Sequence, residues 1–182
     1  KEEKEVLKSL NLLSTKKMLY CCNVREDEVP HGNKFTEQVL QYARERGSEA
    51  VICSAELESQ AAMCDPETRQ AMLEEFGLEK TGMEQIIQAS YKLLGLITFY
   101  TVGVEETRAW TIRDGSTAQE AAAEIHTDIS KGFIKADRTH WKHYLESNCD
   151  DSTARKRGVL SSEGKEYRVL DGDVLYFKFK AK

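Results

Sequence analysis

Asn23 and Glu26 follow a short apolar run from Met18 to Cys22, and Ser54-Ala55 follows a second run from Ala50 to Cys53, with one helix-length segment between them. Ligands of open α/β sheets bind at the carboxyl ends of parallel strands. An Asn and a carboxylate past one strand, beside a small Ser-Ala loop past its neighbour, therefore suit the cradling of a purine. On spacing alone, the first pair also reads as a turn Asn and a surface Glu, and Ser54 as a cap at the strand exit. Phosphate chemistry has no counterpart, because G-x-x-x-x-G-K-[ST] occurs nowhere. Gly158 to Gly164-Lys165 has one residue too many between its glycines and then Glu166 in place of a hydroxyl. By itself the chain can read a base but not hold a triphosphate.

These residues need strands to place them. Val29-Pro30-His31-Gly32 breaks regular structure, and Asn33 can cap a helix with Phe35, Val39 and Ala43 on one face before Gly47 ends it. Strand, helix, strand predicts a right-handed βαβ crossover that opens both strand ends on one edge and brings Glu26 and Ser54 together. Upstream, Val6, Leu7, Leu10 and Leu13 at helical spacing predict an amphipathic helix over residues 1–13, read as the end of something longer. Downstream, Asp65-Pro66 starts a helix that Gly77 follows. Thr81-Gly82-Met83-Glu84 is a capping box opening another, whose stripe of Met83, Ile86, Ile87, Tyr91 and Leu94 predicts core packing before Gly95.

From Leu96 the pattern becomes extended. Leu96 to Val102 and Arg108 to Ile112 predict two strands around an acidic link at Glu105-Glu106, and Asp114-Gly115-Ser116 turns the chain. Thr117 and Glu120 box a helix whose Ala118, Ala121 and Ala122 allow close approach to a sheet. Phe133 to Ala136 predicts a strand, and Tyr167 to Leu170 with Val174 to Phe179 a hairpin across Asp171-Gly172. Glu146 to Ser162 is polar and predicts a mobile surface loop with Arg155-Lys156-Arg157 exposed.

The bulk numbers narrow the class. At 182 residues, 40% hydrophobic and 31% charged, the chain has room for one large or two small cores at roughly 100 to 200 residues per domain. No uninterrupted apolar stretch approaches the roughly 18 residues that span a bilayer. The start, Lys1-Glu2-Glu3-Lys4-Glu5, is the reverse of a signal peptide, so a cytoplasmic location without a membrane partner is expected. Five cysteines without a C-x-x-C read as inert structural thiols. Residues 1–95 hold 12 Lys and Arg against 17 Asp and Glu, whereas 96–182 hold 14 against 14, making the second part less repulsive to a polyanion.

Other candidate residues favour structural readings. His126 and Asp128 flank a helix end in an Ala-rich setting, which points to capping. His140, His143 and Cys149 supply three zinc-type donors without a fourth. Asp171 and Asp173 read as turn residues rather than a catalytic carboxylate pair.

Several spaced motifs agree in order and distance with one family. Thr107-Arg108-Ala109-Trp110-Thr111-Ile112, Ile125-His126-Thr127-Asp128, Lys131-Gly132-Phe133-Ile134, Glu163-Gly164-Lys165-Glu166-Tyr167 and Asp171-Gly172-Asp173 resemble the C-terminal domain of the YchF, or Obg-like ATPase, family. With Asn23-Val24-Arg25-Glu26 and Cys53-Ser54-Ala55, the resemblance covers essentially the whole chain. It implies an α/β fold over residues 1–95, the C-terminal part of a P-loop nucleotide-binding domain with the end of its helical arm. Over residues 96–182 it implies an α+β TGS domain, a ubiquitin-like β-grasp module. It implies ATP as ligand, because relatives with Asn-Lys-x-Asp recognise guanine and this group has Asn-x-x-Glu. Asn23 would brace the pocket and meet the purine edge, Val24 would offer its backbone and an apolar contact, and Glu26, Ser54 and Ala55 would complete the site. Mg²⁺ and the catalytic residues would belong to a part of the parent not present here, so the chain alone is expected to be inactive. Departures from the family pattern, Ala123-Glu124 and Phe99-Tyr100-Thr101, leave the fold argument intact.

TGS domains as a class imply ribosomal or RNA partners, with no DNA expected. Arg155, Lys156, Arg157, Lys165, Arg168 and lysines 178, 180 and 182 could line such a face, with Trp141 or Tyr167 stacking on a base. They could equally form a solvated edge that guards against strand addition. Two rival functions stand beside the ATPase reading. One is a β-grasp interaction module with no nucleotide role; the other is a tRNA-synthetase or stringent-response appendage, which nothing upstream of Leu96 fits.

Overall fold

The computed structural model describes residues 10–103 and 106–180, and the chain divides into two compact units, Lys1–Leu94 and Gly95–Lys182. Most of the helix expected at 1–13 and Glu105 of the acidic link lie outside the described residues. Among the described residues, no helix is long and apolar enough to cross a membrane.

In the first unit, β1 (Leu19–Asn23) and β2 (Glu49–Cys53) pair in parallel, with Asn23 opposite Cys53 at the end of the register. They are joined through α1 (Lys34–Glu45), which starts where Asn33 Oδ1 accepts from the Phe35 and Thr36 amides at 2.9 and 3.2 Å. Beyond β2 come α2 (Ala55–Met63), α3 (Pro66–Glu75) and α4 (Gly82–Leu94). Asp65 caps α3 with Pro at its first turn, and Thr81 and Glu84 cap α4 reciprocally at 3.0 and 3.1 Å. A small core of Val29, Leu57, Leu73 and Leu78 lies beneath the strand ends.

The inward face of α4 differs from the expected stripe. Ile86, Ala89 and Leu93 are half-buried, while Met83, Ile87, Tyr91 and Leu94 are exposed. The first turn sets this rotation. Glu58 on α2 accepts from the Gly82 and Met83 amides, and a Cβ at Gly82 would stand 2.5 Å from that of Cys53. Only glycine lets α4 start so close to the end of β2.

The second unit is a five-stranded mixed sheet covered by helices. Its elements are β3 (Leu96–Val102), β4 (Thr107–Arg113), α5 (Ala118–Ile125), α6 (Thr127–Lys131), β5 (Phe133–His140), α7 (Trp141–Glu146), α8 (Asp151–Lys156), β6 (Ser161–Glu163) and β7 (Asp173–Phe179). The strand order is β4-β3-β7-β5-β6, with β7 parallel to β3 and antiparallel to β5. Ala118, Ala121 and Ala122 are fully buried, so α5 lies close against a core of Phe99, Ile112, Ala136, Val169 and Leu175. Side chains alternate along a strand. Asp137 and Thr139 of β5 and Val174 and Tyr176 of β7 therefore lie on the sheet's other face, where they share a cleft with Tyr144 of α7.

Two expectations are corrected here. Tyr167 to Leu170 forms no hairpin with β7, because its peptide groups are taken elsewhere. Ala118 N donates to Tyr167 O at 2.8 Å, Val169 N to Ser116 O at 3.0 Å, and Leu170 N to the Asp173 carboxylate at 3.0 Å. The Asp171-Gly172 turn holds Gly172 at φ +83°, where a Cβ would meet Trp141 and His140 at 2.7 and 2.9 Å. Nor is 146–162 an irregular loop, since it contains α8 and β6. Asp137, 5% exposed, ties both to β5 by accepting from Lys178 at 2.8 Å, Arg155 at 3.2 Å and the Ser162 hydroxyl.

Burial opposes ionisation of Asp137, but Lys178 and Ser162, with Lys135 behind them, outweigh it and hold the carboxyl below its usual range. A carboxyl depressed on folding contributes stability above its unfolded pKa of about 3.9, and this is lost as pH falls through the folded value. Asp137→Asn should therefore lower the urea midpoint at pH 7 by an amount that shrinks below about pH 4. A gap unchanged at acid pH would contradict this account.

Candidate nucleotide-binding site

The parallel register brings the ends of β1 and β2 level, and the backbone then extends the ladder by one rung, with Val24 N donating to Cys53 O at 2.9 Å. Just beyond, Asn23 Oδ1 accepts from Ala55 N at 2.9 Å, so a side chain from one strand end holds the loop of the other. Ser54, 2% exposed, starts α2 by accepting from Leu57 N at 3.4 Å. Glu26 is half-buried in a single 3-10 turn, Glu26–Glu28, and accepts from Gln60 Nε2 at 3.3 Å. Val24 packs partly against the core below. Arg25 pairs with Asp27 on the solvent side.

Asn23 thus meets Ala55 directly and Val24 meets Cys53 beside it, while Glu26 reaches α2 through Gln60 rather than by bonding Ser54. Gln60 carries no motif signal, because it lies more than one helical turn past the Ser-Ala loop. A cleft of about 380 Å³ opens beside Asn23 and Val24, bounded by Asn33 and Phe35 at the start of α1. Asn33 Nδ2 also donates to Glu28 at 2.9 Å, closing the loop between them. Under the site, burial and the Cys21 sulfur at 3.2 Å push the Cys53 thiol up to about 12, so it stays protonated and acts as packing.

Comparison with known proteins places this architecture. The family described as "YchF-GTPase_C: Protein of unknown function (DUF933)" matches residues 96–180. "Ribosome-binding ATPase YchF" of Bacillus subtilis (strain 168) is 41% identical over 98% of this chain and 49% of its own length. The chain belongs to the YchF family. The protein of the same name from Haemophilus influenzae is 40% identical over 98% of the chain and 49% of its own length. The Schizosaccharomyces pombe YchF GTPase superimposes with a TM-score of 0.81 at 29% identity, covering 97% of this chain and 47% of that one. A GTP binding protein from Pyrococcus horikoshii OT3 shares the fold, with a TM-score of 0.60 at 22% identity over 90% of this chain and 46% of that one. The chain spans about half the length of the curated YchF relatives it matches and corresponds to their C-terminal part.

In this YchF chain the basic residues of the second unit are largely committed. Arg155 pairs with Asp137, Arg157 with Glu146 at 2.9 Å, and Arg168 donates to Gly115 O. Tyr167 is half-buried with its hydroxyl on Asp173 at 2.8 Å, which removes it as a stacking partner. Lys156 and Lys165 are exposed, as is Trp141, which stacks on His140; Lys182 lies outside the described residues. His126 Nδ1 accepts from Asp128 N, and His140 Nδ1 from Lys142 N, each as a helix cap.

Proposed function

We propose that the chain supplies the base-reading side of an ATP site and, in its second unit, a TGS module of the β-grasp type that contacts the ribosome or RNA. The observation that carries the first part is the 2.9 Å bond from Ala55 N to Asn23 Oδ1. It fixes the amide so that its Nδ2 donor faces the purine edge, and it sets the Ser54-Ala55 loop over the base. Glu26, one methylene longer than the aspartate of guanine-selective sites, no longer sits where guanine's N1–H and amino donors would be. Val24 lends its backbone and an apolar wall. The order β4-β3-β7-β5-β6, with first and last strands parallel at the centre and α5 across one face, supports the β-grasp reading.

In the whole parent, ATP hydrolysis would follow P-loop logic, with Mg²⁺ and phosphate positioning supplying charge stabilisation. The sequence here contains no Walker-type loop, so its own role is to bind and orient the base. The names of its relatives, ribosome-binding ATPase, support the ribosomal partner.

Calorimetry on the chain joined to its N-terminal half tests the site. ATP should bind in preference to GTP, Glu26→Asp should erode that preference, and Asn23→Ala should weaken ATP by about tenfold, the value of one hydrogen bond at a buried edge. Equal affinities for ATP and GTP that neither substitution changes would refute the base-reading assignment, and no binding of either would favour the module without a nucleotide role.

A further inference from the structure

The second face of the five-stranded sheet holds a cleft of about 520 Å³, between β5, β7 and the α7–α8 connection. That size lies within the roughly 300–1,000 Å³ of small-ligand sites. Three features of the cleft and of the side chains that flank it are unusual together. Thr139 on the β5 floor is 2% exposed, yet its Oγ1 has no hydrogen-bond partner. A buried hydroxyl left unpaired disfavours folding, so each one calls for an explanation. Two residues earlier on the same face, Asp137 gathers three cations, Lys178 at 2.8 Å, Arg155 at 3.2 Å and Lys135 at 3.9 Å. Asp137 balances one of them and Asp151, which also lines the cleft, offsets a second, leaving one positive charge in excess beside the cleft, on side chains that are still 42–56% exposed. Finally, the walls present two phenol rings, Tyr176, 56% exposed, and Tyr144, with apolar Val174 and Leu160 between.

A flat apolar body, a polar edge and an anion are the parts these features complement. We propose that this cleft recognises a nucleotide: its base lies against Tyr144 and Tyr176, a polar atom of the base or sugar meets Thr139 Oγ1, and its phosphate sits at the cation excess around Asp137. Aromatic side chains accept any base by its π-face, so selectivity falls to the Thr139 hydroxyl. The same chemistry reaches the cleft from two sources, a free mononucleotide or an unpaired residue of RNA, and the second source alone rests on the ribosomal reading above.

The test is a ¹H–¹⁵N titration of the 182-residue chain with UMP, with a uridine oligonucleotide of about six residues, and with inorganic phosphate. Uridine avoids the adenine-type site of the first unit. The amides of Thr139, Tyr144 and Tyr176 should shift with a uridine ligand, and Thr139→Val should weaken that binding about tenfold, one hydrogen bond's worth, while Tm stays level or rises. Oligonucleotide binding at least tenfold tighter than UMP identifies RNA as the source, and equal affinity a free nucleotide; either supports the cleft. If UMP binds but ribosome cosedimentation of the joined protein ignores Thr139→Val, the cleft stands and its ribosomal source falls. No shift at millimolar ligand, the same shifts with phosphate alone, or unweakened binding in Thr139→Val would overturn the proposal.

Discussion

Asp173→Ala should lower the unfolding free energy of the second unit by about 3–5 kcal/mol, the range for breaking a buried ion pair by removing one partner. Asp173 is fully buried at the start of β7, and three donors converge on it: Arg138 Nε at 2.6 Å, Tyr167 OH at 2.8 Å and Leu170 N at 3.0 Å. Alanine would leave the 24%-exposed guanidinium without its counter-charge, and a phenol and a peptide N–H without an acceptor. Burial, reinforced by Asp173, raises the Tyr167 phenol well above its usual range. A group raised on folding contributes stability below its unfolded pKa of about 10, and this is lost as pH rises through the folded value. The variant should therefore also show a shallower alkaline decline. Both tryptophans, Trp110 and Trp141, lie in this unit, so urea unfolding followed by tryptophan emission reads the effect. A loss below about 1 kcal/mol would put the pair in the class of surface bridges and refute this assignment.

The segment leading to the same aspartate shows where sequence patterns stop. Tyr167 to Leu170 followed by Asp171-Gly172 and an alternating strand has every local mark of a hairpin. The deciding contacts are with Ser116 and Ala118, and a period-2 pattern carries no information about partners about 50 residues away. For the same reason Arg155-Lys156-Arg157 read as a free basic cluster, although Asp137 and Glu146 claim two of its three charges. In α4, two adjacent apolar stripes were both compatible with the spacing, and the close approach of Gly82 to Cys53 selected the less obvious one. Helix starts were legible because their chemistry is local: Asn33, Asp65, Thr81 and Thr117 each bond within three residues. The convergence of the two strand-end loops was legible too, since parallel strands of matched register must end side by side, but the expected pair was Glu26 with Ser54 and the contact is Asn23 with Ala55. The Asp137 cation cluster and the Thr139 cleft had no such signal, because a Lys-x-Asp-x-Thr alternation looks like an ordinary solvated strand face.

Leu57→Ala should cost the first unit about 2–5 kcal/mol, as large-to-small changes in a poorly collapsible core do. Leu57 is 1% exposed and is the third residue of α2, directly under the Ser54-Ala55 loop. It packs in the cluster with Val29, Leu73 and Leu78, against which Val24 and Ile52 at the strand ends also lie. Ser54 itself contributes a 3.4 Å cap bond, whose removal in Ser54→Ala is expected to cost only about 1 kcal/mol. Core and site are therefore coupled in one direction. Loss of the Leu57 side chain lets the first turn of α2 shift, and the Ala55 amide moves away from Asn23 Oδ1. The volume-conserving substitution Leu57→Ile should cost under about 1.5 kcal/mol and leave the loop in place. Thermal unfolding by far-UV circular dichroism measures the stability of each variant, and ATP calorimetry on the joined protein measures the loop. Leu57→Ala that unfolds earlier yet binds ATP as tightly as the parent would show that the strand ends alone, without α2, orient the base-reading residues.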